Sequence, residues 1–101
     1  MKIIYIVLNV SDLNSFAEKI RKCKLIDYQI IEQMLTNSLL GNPRTNTAVW
    51  PGYSSGIIIQ SDEEMKIQLL FDEIREHNKN RINDEEIIRA FVLNTEAFII
   101  E

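Results

Sequence analysis

Residues 2–9 read KIIYIVLN, an unbroken apolar run from Ile3 to Leu8 between Lys2 and Asn9. It is rich in β-branched residues, which favour strands over helices. In a strand, Ile3, Tyr5 and Val7 point one way and Ile4, Ile6 and Leu8 the other. Both sets are apolar, so this strand asks for cover on both faces. The run is too short to span a membrane, and no signal-peptide cleavage pattern follows it.

Working outward, Ser11 or Asp12 offers a helix N-cap. Leu13, Phe16, Ala17, Ile20 and Cys23 then recur at helical spacing, which predicts about three turns with one apolar stripe. Cys23 lies on that stripe and reads as a buried core thiol. DYQIIEQMLT (27–36) reads as a second strand, with Tyr28, Ile30 and Met34 on the same face as Glu32. GIIIQ (56–60) is a third, short and apolar on both faces.

SDEEMKIQLLFDEIREHNKN (61–80) carries the strongest helical period. Ser61 and Glu64 have capping-box spacing. The acidic first turn suits the helix dipole, and Ile67, Leu70, Phe71 and Ile74 form the core stripe, with Met65 and Leu69 widening it. HNKNRINDEE (77–86) reads as a solvated connector, EIIRAFVLN (86–94) as a fourth strand, and TEAFIIE as a closing short helix or extended tail.

The order β-α-β, loop, β-α-β predicts an α+β ferredoxin-like sandwich, a four-stranded antiparallel sheet with two helices on one face. Right-handed crossovers put the first and third strands in the middle, and these are the two runs that are apolar on both faces. Two helices cover one face only. Leaving the other face of Ile, Val and Phe in water forfeits several kcal/mol at about 25 cal/mol per Å². A partner is therefore expected on the open face, most simply further copies of the chain.

The composition agrees with this reading. The chain has 101 residues, 46% hydrophobic and 26% charged, which suits one domain with one core. Its net charge of −4 argues against nucleic acid as a partner, and Lys19, Arg21, Lys22 and Lys24 read as a solvated helix face. A lone cysteine excludes an internal disulfide and fits a reducing cytoplasm. With one histidine, His77, and one cysteine, the chain cannot build a transition-metal cluster by itself.

The C-terminal half resembles the PII-like signalling proteins. Arg89-Ala90-Phe91-Val92-Leu93 with Glu96-Ala97 is similar to the family's last strand and the turn after it. IIIQSDEE (57–64) is similar to its strand-to-helix passage, and Glu32 sits where the family's second strand often has a glutamate. The resemblance implies ferredoxin-like subunits assembled as trimers, with sheets facing inward and ligands at the clefts between subunits. The family's long T-loop is here a shorter segment, residues 37–56. Its Gly-rich phosphate turn is replaced by glycine-free HNKNRINDEE, and its basic tail is missing.

That shortened segment holds the candidate site. GNPRTNTAVWPGYSSG (41–56) contains all three glycines, both prolines and the only tryptophan, and Arg44 is the only charge between Glu32 and Asp62. The R-x-N-T-x-x-W-P-G run is similar to one in small PII-like proteins. Arg44 offers a fork of donors for carboxylate or phosphate, Trp50 a stacking face, and Asn46 and Thr47 polar contacts. Pro51-Gly52 makes a tight turn. Alternatively, Trp50 plugs a subunit contact and Arg44 pairs with a neighbouring subunit's carboxylate.

Arg89 falls near a family lysine that contacts nucleotide phosphate, and reads equally as a surface or ion-pair residue. Lys79, Arg81 and the acidic triplets Asp62-Glu63-Glu64 and Asp84-Glu85-Glu86 read as solvated or dipole-matched charge.

No nucleophile–base pair stands out. The expectation is a trimeric cytoplasmic regulatory protein that takes a small anionic ligand or a protein partner and has no membrane span. A dimeric α+β-barrel enzyme, or an assembly module without ligand, are the alternatives.

Overall fold

A computed structural model describes residues 1–39 and 41–99. The chain runs β1 (Lys2–Asn9), α1 (Leu13–Lys22), β2 (Tyr28–Met34), β3 (Ser54–Ser61), α2 (Glu64–Lys79) and β4 (Arg89–Asn94). One antiparallel sheet has the order β2-β3-β1-β4, so the two strands expected in the middle are there. The architecture is the ferredoxin-like α+β sandwich.

β1 organises the packing. Ile4, Ile6 and Leu8 lose all their exposure beneath the helices, together with Ile57 and Ile59 of β3. Phe16, Ile20 and Cys23 come from α1, and Ile67, Leu70 and Ile74 from α2. Each such side chain contributes about 1.5–3 kcal/mol by leaving water. Cys23 is in this core, as its place on the stripe implied. Burial, with a smaller contribution from the Glu73 charge, pushes its thiol pKa up, so it stays a packed neutral group.

The opposite face of the sheet carries Tyr5 paired with Ile58 on one side and Phe91 on the other. The Tyr5 and Phe91 rings lie 6.1 Å apart. Ile31, Phe91 and Leu93 remain exposed on this face. In water this is an apolar surface rather than a solvated one.

Four local expectations fail for identifiable reasons. Neither Ser11 nor Asp12 caps α1. A 3-10 turn, Val10–Asp12, precedes the helix, and Asn9 Oδ1 accepts from the Ser11 N–H at 3.1 Å. Asp12 is thereby already helical, at φ −96° and ψ −4°, whereas a capping side chain needs extended backbone.

The Ser61–Glu64 capping box also does not form. Ser61 is held in β3 opposite Lys2, and α2 begins only at Glu64. Ser61 Oγ accepts from Glu63 N–H, while Glu64 receives the Lys2 ammonium at 2.7 Å.

Met34 is on the wrong face for the simple alternation of the second strand. The ladder shifts between Ile31 and Met34, a bulge that puts both on the open face. Met34 lies across Gly56, where an added Cβ would come within 2.9 Å of its methyl carbon. Its sulfur accepts from the Tyr5 hydroxyl at 3.7 Å.

The polar connector is more ordered than a solvated loop. Asn78, near the end of α2, donates to the Ile88 carbonyl and accepts from the Ile88 N–H, both at 2.8 Å. His77 Nε2 donates to the Glu86 carbonyl at 2.6 Å, which makes this histidine a structural tie. A 3-10 turn, Asp84–Glu86, lies between these anchors, so β4 starts at Arg89 rather than at 86.

Two outcomes follow from these contacts. Asn78→Ala leaves both buried polar groups of Ile88 without partners, and urea unfolding should show a loss of roughly 2–4 kcal/mol. Hydrogen bonds from Lys2 and then Gln68 hold the Glu64 carboxyl below its ordinary value. A carboxyl lowered by folding adds stability that is present above its unfolded pKa and lost as pH falls through its folded pKa. The melting temperature of Lys2→Ala should therefore lie slightly below wild type at neutral pH, and the gap should close as pH falls below the ordinary carboxylate range and Glu64 is protonated in both states.

Candidate functional site

The segment between β2 and β3 folds into nested turns. Thr36 and Arg44 exchange two backbone hydrogen bonds, at 2.9 and 2.8 Å, which closes the base of a loop. Asn46 N–H donates to the Gly52 carbonyl at 3.0 Å. Inside that, Thr47 N–H donates to the Trp50 carbonyl, and the Thr47 hydroxyl accepts from the Trp50 N–H, each at 3.0 Å. Asn46 and Gly52 take positive φ, +53° and +90°, as asparagine and glycine tolerate in such turns. The Asn46 amide also reaches the Tyr53 hydroxyl at 2.7 Å. Asn46 and Thr47 thus hold the loop's own shape, and Trp50 is carried near its tip, 40% exposed.

Arg44 sits at the base, its side chain only 13% exposed. Nη1 donates to Ser54 Oγ at 2.8 Å, and Ser54 Oγ shares a hydrogen with Thr36 Oγ1 at 2.7 Å. Nη2 donates to the Glu85 carbonyl at 2.6 Å and lies 3.7 Å from the Glu85 carboxylate. The same carboxylate accepts from the Asn42 N–H. Arg44 Nε is buried with no partner among the described residues.

Arg44 therefore ties together the loop, the first residue of β3 and the turn before β4. The carboxylate beside it in this structure is that of Glu85 in its own chain. A planar fork suits this task, since three acceptors lie in different directions.

Arg89 stands apart from that cluster. It opens β4 opposite Val7, and its guanidinium lies 6.0 Å from the Phe91 ring centroid on the open face. The structure thus brings Arg44, Asn46, Thr47 and Trp50 into one folded loop and leaves Arg89 on the sheet surface.

Glu85, Ser54 and Thr36 were not among the expected site residues. Glu85 was read as solvated charge, and Asn83 was the available sign of something else. Its side chain accepts from the Glu85 N–H at 3.0 Å and shapes the turn that aims Glu85 at the loop.

A groove of about 290 Å³ lies elsewhere, between α2 and β4, lined mainly by Phe71, Ile74, Ile88 and Val92. None of the five expected site residues lines it. Among the described residues no three His, Cys, Asp or Glu side chains gather to hold a metal ion, and no helix is long and apolar enough to cross a membrane.

This fold is that of the PII-like signalling proteins. No family model and no curated protein matches the chain; the likeness is to solved structures. One is a putative PII-like signaling protein from Thermus thermophilus, at 16% identity and a TM-score of 0.59 over 93% of this chain and 85% of that one. Another is CPII from Thiomonas intermedia, a nitrogen regulatory PII-like protein. Its apo form gives 14% identity and a TM-score of 0.65 over 91% of this chain and 87% of that one. The CPII form bound to ADP, AMP and acetate gives 14% and 0.68, over 90% and 81%. At these identities the likeness is one of fold, and at that level the resemblance read from the sequence holds.

Replacing Arg44 tests the clasp. Arg44→Ala should cost roughly 2–4 kcal/mol in denaturant unfolding, because Ser54 and Glu85 lose a shared charged donor in a half-buried setting. Arg44→Lys should recover only part of this, since an ammonium cannot reach both acceptors as a fork.

Proposed function

We propose that this chain is a PII-like regulatory protein, one domain over residues 1–101, working in the cytoplasm as a homotrimer. It binds a small anionic ligand, a nucleotide or a carboxylate metabolite, or a protein partner, at clefts between subunits. The observation that carries the reading is the fold match over nine-tenths of the chain to CPII, whose structures are bound to ADP, AMP, bicarbonate or acetate.

Two features of this chain support it. The open face, with Tyr5, Ile58, Phe91 and Leu93, is the wrong surface to leave in water and the right one to bury against further copies. The loop presents Trp50 on a folded turn whose base holds a guanidinium with a buried Nε–H that has no partner among the described residues. Arg44, Asn46, Thr47 and Trp50 form the ligand-facing set in this reading. Arg89, on the face that assembly would cover, completes it from the sheet side.

Light scattering should give three times the 11.8 kDa chain mass. Phe91→Asp should shift it to monomer while keeping the circular dichroism of the fold. A thermal-shift screen of nucleotides and carboxylates, read in parallel by Trp50 emission, should find at least one saturable response. A dimer enclosing its ligand favours the barrel-enzyme reading. A trimer with no response to the panel leaves only the assembly role.

A further inference from the structure

We propose that the Glu85 carboxylate occupies an anion subsite built by the Asn42 N–H and the Arg44 guanidinium, and that a free carboxylate takes the same place when Glu85 leaves it. The inference rests on the reading of this loop as an anion site. It narrows the ligand there to a group of carboxylate size and shape, and it adds a built-in competitor.

The two oxygens of Glu85 have different tasks. Oε1 accepts from the Asn42 N–H, and Oε2 faces Arg44 Nη2 at 3.7 Å. The backbone is shaped for this. Gly41 has φ +76°, and a Cβ there would lie 3.0 Å from Glu85 Oε1 and 3.3 Å from the Asp84 carbonyl. A side chain at 41 would crowd the carboxylate, so the glycine keeps the cradle open.

Arg44 does not depend on that carboxylate for its position. Ser54 Oγ and the Glu85 backbone carbonyl hold its guanidinium at 2.8 and 2.6 Å. If the Glu85 side chain swings away, the donors stay where they are. Nε is a further buried donor with no partner among the described residues.

The Glu85 side chain is held by one hydrogen bond, from the Asn42 N–H to Oε1, and only loosely by Arg44. Its side chain is 34% exposed, and 3.7 Å is a loose ion contact rather than a hydrogen bond. Arg44 is also the only charge between Glu32 and Asp62, so a displaced Glu85 leaves a positive site with no other acid on its own segment.

The consequence is mechanical. With Glu85 in place, residues 42–44 of the loop are tied by its side chain to the turn at 84–86. A free carboxylate on the same donors satisfies the loop and releases that side-chain tie. Ligand binding is thereby coupled to the connector that leads into β4.

Chemical rescue tests this directly. Glu85→Ala removes a methylene and a carboxylate, a deficit that acetate can fill. Acetate, compared with chloride at equal ionic strength, should raise the melting temperature of Glu85→Ala saturably, by roughly 7 °C at ten times its dissociation constant. It should also return Trp50 emission to the wild-type value. Wild type, whose own carboxylate competes, should respond far more weakly than Glu85→Ala, and Asp84→Ala, which loses a carboxylate paired with Arg81 on the same turn, should behave as wild type.

Should Glu85→Ala fail to fold, Glu85→Gln carries the test. It keeps an acceptor for Asn42 but holds Arg44 less strongly, so acetate should act on it more than on wild type. Equal behaviour of acetate and chloride on the folded variants overturns the proposal. The wild-type response to the nucleotide and carboxylate panel decides the proposed function separately. Rescue without that response keeps the subsite and removes the regulatory reading; response without rescue does the reverse.

Discussion

The central strand β1 is the constraint on which everything else hangs. It pairs along its whole length with β3 and over most of it with β4, so it is flanked on both sides within the sheet. Its alternation then divides the protein into two chemically different halves. Ile4, Ile6 and Leu8 meet the helices and lose all exposure. Ile3, Tyr5 and Val7 head a second apolar surface that neither helix covers. A one-residue slip of β1 would exchange two sets that are both apolar, so its register rests on the pairings with β3 and β4 rather than on its own alternation.

The same strand order decides where the loop chemistry sits. β1 ends and β3 and β4 begin at one end of the sheet, so the loop after β2 and the turn before β4 are brought together there. Asn9, the last residue of β1, touches the Glu85 carbonyl at 3.5 Å, and Val10 N–H reaches the Tyr53 carbonyl at 3.2 Å. Arg44 closes this corner. Its positive charge is tolerated in a half-buried place because hydroxyl, carbonyl and carboxylate oxygens surround it.

Much of the fold was legible because periodicity reports burial directly. The β1 run, the α1 stripe ending in Cys23 and the α2 stripe from Ile67 to Ile74 read correctly for that reason, whereas Met65 and Leu69, expected to widen the α2 stripe, stay exposed. The errors cluster where a residue has two competing partners. Ser61 could start a helix or finish a strand, and pairing opposite Lys2 kept it in the sheet. Met34 fits an alternating strand until the ladder shifts at Ile31, and a bulge leaves no mark in composition. His77 and Asn78 looked like solvated residues because their partners are backbone groups of Glu86 and Ile88.

The sequence by itself determined the α+β order, the two strands that had to be central, the unsatisfied second face and the isolation of Arg44 in an otherwise uncharged segment. These are properties of residue type and spacing, which local burial and propensity make readable. Only the tertiary structure decided what Arg44 does. Its carboxylate partner is 41 positions away in the chain, and no local period links the two. Their meeting depends on the strand order and on the Asn83-capped turn that aims Glu85 at the loop. A carboxylate that looked like one of three solvated acids is thus the group that holds Arg44 and Asn42 together.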